Sequence, residues 1–365
     1  MSYKLSENNF DLIRLLAATQ VAVLHVFSYL SPEIYSHPTP LQNAIIRLLE
    51  MFPGVPTFFF ISGFLISRSY ERVGSVREYG RNRALRIFPA LYVCVAINLL
   101  MVWGTGYFAA NGVGLPQVLL LYFAKTTFFQ FYNPDFMRHF GDGVLNGSLW
   151  TVCVELQFYV LVPLLYKLLP SDRKRTANTV LIALIGISIV CNRLLYGAQH
   201  DFGQSNYWKL ARVSFAPWFY MFLTGVLVQK NFDAVCRWLP RNSFLIFLPA
   251  YIAYASLMFW LGFSFHNDIS PLLYFPLAAV VLAAAYSAPT LARRWLRGND
   301  LSYGIYIYHV PFMNMFLFYG WQHQASYTLL VVVLTVITAA LSWLVIERPS
   351  LRQKHRTIHP VPVAP

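Results

Sequence analysis

Ten stretches of this chain stay apolar for about the twenty residues that a helix needs to cross a bilayer, and nothing else constrains its fold as strongly. They fall near residues 9–30, 44–67, 84–107, 148–169, 177–196, 212–229, 243–263, 271–288, 300–320 and 326–346. Inside lipid no water is present to satisfy peptide groups, so each stretch must pair its own N–H and C=O as a helix. The expected fold is therefore all-α: a polytopic transmembrane bundle of about ten spanning helices. Only 12% of the residues are charged and 57% are hydrophobic. A soluble domain carries about 25% charged residues, so a large water-soluble core is excluded.

A net charge of +13 could suggest a nucleic-acid partner, but the cations follow membrane topology instead of forming one patch. Lys125, Arg138, Arg193, Lys209 and Arg212 lie in one set of alternate loops, and Arg14 and Arg47 lie within apolar segments. The other 21 of the 28 Lys and Arg residues occupy the opposite loops and the two terminal segments. By the positive-inside rule both termini are expected in the cytoplasm, and no nucleic-acid partner is expected. Residues 118–132 are apolar but short and interrupted by Lys125. A crossing there would invert every later helix, so this segment reads as interfacial or re-entrant. The first segment lacks a small-x-small cleavage pattern and should remain as a helix. Cys94, Cys153, Cys191 and Cys236 show no metal or disulfide spacing and read as packing residues. Residues 1–350 are expected to form a single membrane domain, with 351–365 a disordered cytoplasmic tail and no metal site.

Two ionisable residues interrupt the first segment. A charge near mid-membrane costs about 2.5–3.5 kcal/mol even on lenient scales, so such residues are generally functional. Arg14 and His25 are close to three turns apart, on one stripe with Ala18 and Val21, separated by about 16 Å along the axis. Glu155, some 10 Å into a segment entering from the outside, lies at a depth comparable with that of His25. This depth pairs His25 with Glu155, the carboxylate fixing the imidazole tautomer for general-base work; the alternative is a structural ion pair. Asp11, one turn before Arg14, is the expected neutralising partner. Arg83 and Arg86 share a helical face at the inner membrane surface and suit either bidentate phosphate binding or anchoring to lipid head groups. Ser62-Gly63 permits close helix approach. Ser302, Tyr303 and His309 begin the ninth segment, where His309 serves either a helix–helix hydrogen bond or a substrate.

Together these stretches resemble the acyltransferase 3 family of integral-membrane acyltransferases, which includes bacterial O-acetyltransferases of surface polysaccharides. The resemblance spans about residues 9–350. It rests on Arg14-x10-His25, Phe58-Phe-Phe-Ile-Ser-Gly-Phe-Leu65, Arg83-x-x-Arg86 with Ile-Phe-Pro, Ser148-Leu-Trp-Thr-Val-Cys-Val-Glu155 with Phe158-Tyr159, and Ser302-Tyr-Gly-Ile-Tyr-Ile-Tyr-His309. It implies acetyl-CoA or a related acyl-CoA as cytoplasmic donor and a hydroxyl of a surface or lipid-linked glycan as acceptor. It also implies a location in the bacterial inner membrane. His25 would correspond to the catalytic histidine, and Arg14, Arg83 and Arg86 to essential arginines that bind the donor. The chain looks like the stand-alone form, without an appended soluble acyl-transfer domain.

The expected mechanism threads the donor upward past Arg14 to His25, which deprotonates the acceptor. Ser62, Trp150 and Tyr303 are candidate oxyanion donors, and Ser302 and His309 further substrate candidates. Direct transfer and an acyl-histidine relay both fit. The competing function is transport or lipid flipping, which usually shows paired repeats; none is visible.

Overall fold

The computed structural model describes residues 4–170, 173–199, 205–239 and 242–353. The tail expected to be disordered lies almost wholly outside them. Every described element is helical, with no strand among the described residues. The principal helices are α1 (Phe10–Leu30), α2 (Pro40–Glu50), α3 (Gly54–Val73), α4 (Val76–Gly104), α5 (Leu115–Lys125), α6 (Leu149–Leu168) and α7 (Lys174–Gly197). They are followed by α8 (Asn206–Arg212), α9 (Phe219–Lys230), α10 (Ser243–Trp260), α11 (Pro271–Ser287), α12 (Ser302–Phe318) and α13 (Ala325–Ser342).

All ten apolar windows carry helix, but they are not ten uniform crossings. Among the described residues seven helical segments are long and apolar enough to span, or eight if α8 and α9, bent by 44°, form one broken span. Helices α11 and α12 have 17 residues each, about 25 Å at 1.5 Å per residue, short of a hydrocarbon core of about 30 Å. The second window is divided: α2 opens with a Thr39–Gln42 capping box, and the chain resets through Met51–Pro53 before α3. Helix α5 has eleven residues, too few to cross, which suits the re-entrant reading of that segment.

Two short helices form the centre. Every residue from Ser302 to Pro311 of α12 is buried, as is every residue from Phe219 to Val226 of α9. Helix α12 packs between α1 and α13, while α9 lies along α3. The α3–α9 contact depends on reciprocal glycines. A Cβ on Gly63 would stand 1.9 Å from the Phe222 carbonyl oxygen, and one on Gly225 would stand 2.1 Å from that of Phe60. Small residues let membrane helices approach closely and gain van der Waals contact where no hydrophobic drive separates protein from lipid. On the outer helices, side chains such as Ile187 and Leu194 of α7 and Leu245 of α10 are exposed, as expected for surfaces meeting acyl chains.

Gly225→Ala should therefore sharply lower the detergent-extracted folded yield and the thermal unfolding midpoint. Gly186→Ala, where a Cβ meets nothing within 4 Å, should be neutral or stabilising by up to about 1 kcal/mol. Size-exclusion profiles and melting curves of the two variants make the comparison.

Candidate active site

Asp300, two residues ahead of α12, sets the basic end of the bundle. Its Oδ2 accepts from Arg14 of α1 at 3.2 Å and from Arg86 of α4. Its Oδ1 accepts from the Ser302 N–H at 3.0 Å and from the Ser302 hydroxyl. The neutraliser of Arg14 is thus Asp300, distant in sequence, and not Asp11. Around this cluster opens a vestibule of about 1240 Å³ lined by Arg14, Arg68, Arg72, Arg83 and Arg86 together with Asp11, Glu155 and Asp300. Arg83 gives one hydrogen bond, to Ser69 at 3.2 Å, and its buried Nε has no partner. It also faces the Tyr159 ring at 5.8 Å. Unlike Arg86, it keeps donors available at the vestibule wall.

The vestibule continues into a narrower inner cavity of about 480 Å³, bordered by Arg14, Ser62, Glu155, Ser302, Tyr303 and Tyr306. Glu155 is held here. Its Oε1 accepts from the Ser62 hydroxyl at 3.0 Å and from the Tyr159 hydroxyl, one turn along α6, at 2.8 Å. Tyr303 donates to the Ile87 carbonyl at 3.2 Å, tying α12 to α4. Tyr306 closes the far end, its hydroxyl 2.6 Å from that of Thr151 and its ring edge-on to His309.

His25 is not paired with Glu155. Its Nδ1 lies 3.0 Å from Nε2 of His309, which is wholly buried. Depth along an axis orders residues by height but does not say which helix faces which, and it is α12, not α6, that packs along α1. The hydrogen bonds determine the tautomers. His309 Nδ1 lies 3.2 Å from the Ile305 carbonyl, which can only accept, so His309 carries its proton on Nδ1. A neutral His309 then presents a lone pair at Nε2, so His25 donates from Nδ1 and has its own lone pair at Nε2. This is the orienting role that a carboxylate plays in a catalytic triad, performed by a neutral ring. His25 borders an outer cavity of about 710 Å³ with Gln20, Ser28, Tyr35, Glu50 and His266.

The inner and outer cavities share no lining residue. They approach each other at the consecutive residues Gly54 and Val55 and at the Tyr306–His309 ring pair, so a thin wall separates the Arg-lined space from His25. The stripe read along α1 does face inward: Ala18 and Val21 are buried between Arg14 and His25. Of the oxyanion candidates, Ser62 is committed to Glu155 and Tyr303 to Ile87. Ser302 caps Asp300. Trp150 lies elsewhere, packed on Trp218 and facing a separate cavity. Among the described residues no group of three His, Cys, Asp or Glu side chains could hold a metal. Sequence reasoning missed Asp300 and gave Tyr159 no role beyond its place in the motif that follows Glu155. An acid immediately before a tyrosine-rich apolar helix, and a tyrosine four residues after an intramembrane glutamate, were the available signals.

The family profile described as an acyltransferase domain matches residues 7–347. Nodulation protein 10 of Rhizobium leguminosarum bv. viciae is 34% identical over 362 residues, covering 94% of this chain and 93% of that protein. The O-acetyl transferase of Shigella phage Sf6 is 24% identical over 345 residues, covering 93% and 95%. Peptidoglycan O-acetyltransferase OatA of Listeria monocytogenes is 26% identical over 326 residues, covering 82% of this chain but 51% of that longer protein. No solved structure matches the chain.

Removing one partner of a buried ion pair costs about 3–5 kcal/mol, because a charge is left uncompensated. Asp300→Asn should accordingly lower the unfolding midpoint markedly, and adding Arg86→Met should recover part of the loss. Melting curves of the single and double variants in detergent test this coupling.

Proposed function

The chain belongs to the acyltransferase 3 family, and from that premise we propose that it carries an acetyl or other small acyl group from acyl-CoA in the cytoplasm to a glycan hydroxyl outside. One observation supports this reading above the others: an arginine-rich vestibule and a histidine with an oriented lone pair occupy opposite ends of one helix, α1. In this orientation the basic end and both termini are cytoplasmic, and the membrane is the bacterial inner membrane.

Phosphates of the donor bind at the vestibule, where Arg72 and Arg83 offer guanidinium forks; Arg86 chiefly holds Asp300. The pantetheine arm passes Arg14 into the inner cavity, where Glu155 accepts from its amide N–H groups. The rise from Arg14 to His25, about 16 Å, is comparable with that arm's reach. The acceptor hydroxyl enters the outer cavity among Gln20, Tyr35, Glu50 and His266. Nε2 of His25 takes its proton as the oxygen attacks the thioester carbonyl. The tetrahedral intermediate expels the CoA thiolate, which takes the proton from His25 and leaves inward as the thiol. For thioester and hydroxyl to meet, the layer of Val55, Phe58 and Tyr306 must open, which makes Tyr306 the gate between the two half-sites.

His25→Ala should abolish transfer with folded yield intact. His309→Ala should lower kcat by about tenfold to a hundredfold through loss of the tautomer. His309→Gln, whose amide oxygen can still accept from His25, should restore part of that rate. Radiolabelled acetyl transfer in membranes reads all three, and wild-type rates in His25→Ala would remove the histidine from the reaction. Arg83→Ala should raise KM for acyl-CoA with little change in kcat; an unchanged KM would assign Arg83 to lipid contact. NMR of surface glycans from cells with and without the gene should show an O-acyl signal that depends on it.

A further inference from the structure

A fourth cavity, away from both half-sites, has features of a ligand site that the transfer reaction leaves unused. It has a volume of about 840 Å³ and lies where the loop after α5 meets the start of α6 and helix α8. Gln130 forms part of its wall. Its side chain is 1% exposed, yet neither Oε1 nor Nε2 has a partner. Such an amide costs stability unless something else completes its hydrogen bonds. Nearby Asn133 has a buried, unpartnered Oδ1 on the same wall. Two tryptophans, Trp150 and Trp208, line the space as well.

The charge of the cavity is as distinctive as its amides. Only five Lys and Arg residues lie in the loops opposite the basic end, and three of them, Lys125, Lys209 and Arg212, converge here. Among the described residues no acid lines the cavity. Lys125 is buried and donates to the Gln130 carbonyl at 2.7 Å, a neutral acceptor that does not itself offset the charge. Burial lowers its ammonium to about 8, while Asp142 close by acts in the opposite direction. Asn146 in the same wall donates to the Ile307 carbonyl at 2.9 Å, which ties the cavity to α12 two residues before His309.

We propose that this cavity is a saccharide-binding site for a sugar bearing an acidic group. Gln130 and Asn133 bond its hydroxyls, the indoles pack on its apolar faces, and Lys125, Lys209 and Arg212 neutralise its carboxylate or phosphate. The amide–indole–cation set is the chemistry that recognises an acidic sugar. The proposal rests on the glycan-acyltransferase reading and adds to it a second hold on the acceptor, away from His25, that keeps a glycan at the outer surface between transfers.

The test uses the full chain purified in detergent, with tryptophan fluorescence following titration by three probes: a hyaluronan tetrasaccharide, N-acetylglucosamine 1-phosphate and neutral chitotetraose. Saturable binding of either acidic probe, at least about tenfold tighter than chitotetraose, is expected. The stronger of the two tells a glycan carboxylate from a sugar phosphate. Gln130→Leu, which removes the unpartnered amide and leaves the backbone carbonyl for Lys125, should weaken binding about tenfold with an unfolding midpoint at or above that of the wild type. Lys209→Ala with Arg212→Ala should weaken it similarly. Equal binding of the neutral probe, binding untouched by these variants, or no saturable response would overturn the proposal, as would full displacement by phosphatidylglycerol micelles. Acetyl-CoA binding measured on the same preparation separates the saccharide site from the transfer reaction, since loss of that binding would count against the acyltransferase reading alone.

Discussion

The carboxylate of Asp300 organises the basic end of this protein. It joins α1 through Arg14, α4 through Arg86 and the start of α12 through Ser302. Three segments far apart in the chain meet on two oxygen atoms. Two arginines meet this one acid in direct contact, and the buried Glu347 lies close enough to act on Arg86 as well. A buried ion pair is rarely a source of net stability, because desolvation offsets the Coulomb gain. Its value lies in position: with Arg86 held, α4 presents Arg83 to the vestibule, and with Ser302 held, α12 rises at the angle that carries Tyr306 and His309 to the level of His25.

The chemistry is divided in depth by the same arrangement. Cationic side chains line one space at the basic end and polar groups line another at the opposite end, with aromatic and aliphatic side chains between them. A barrier of this kind also serves a membrane enzyme by preventing leakage, since a continuous water path would dissipate gradients. The two-histidine pair at the wall contains no formal charge, so it can be buried where a His–carboxylate pair would require a heavier desolvation penalty. A neutral ring still fixes a single tautomer and a set orientation for His25.

How much of this was legible in the chain depends on whether a feature is local. Arg14 and His25 belong to one helix, so their shared stripe and separation follow from 3.6 residues per turn, and both line cavities as that geometry requires. The pairing of His25 with Glu155 relied on depth across two helices, and depth carries no information about rotation or neighbourhood. Helix α6 packs on α3 and not along α1, which leaves Glu155 to Ser62 and Tyr159. Asp300 escaped notice because a lone acid before an apolar run resembles an ordinary loop residue. Its significance appears only when two arginines arrive from other helices. Trp150 sits in a motif shared with Glu155, yet five positions are more than one turn, so the two face different cavities.

By itself, the sequence determined that this chain is a helical membrane protein, which ends carry its basic loops, and which polar residues the bilayer would make costly. Each is a property of single segments and of their exchange between water and lipid. The tertiary structure alone decided which of those residues meet: His25 with His309, Glu155 with Ser62 and Tyr159, and Arg14 with Asp300. Contacts between helices depend on where small residues such as Gly63 and Gly225 let backbones approach. That choice is made by packing in three dimensions and leaves no periodic trace along the chain.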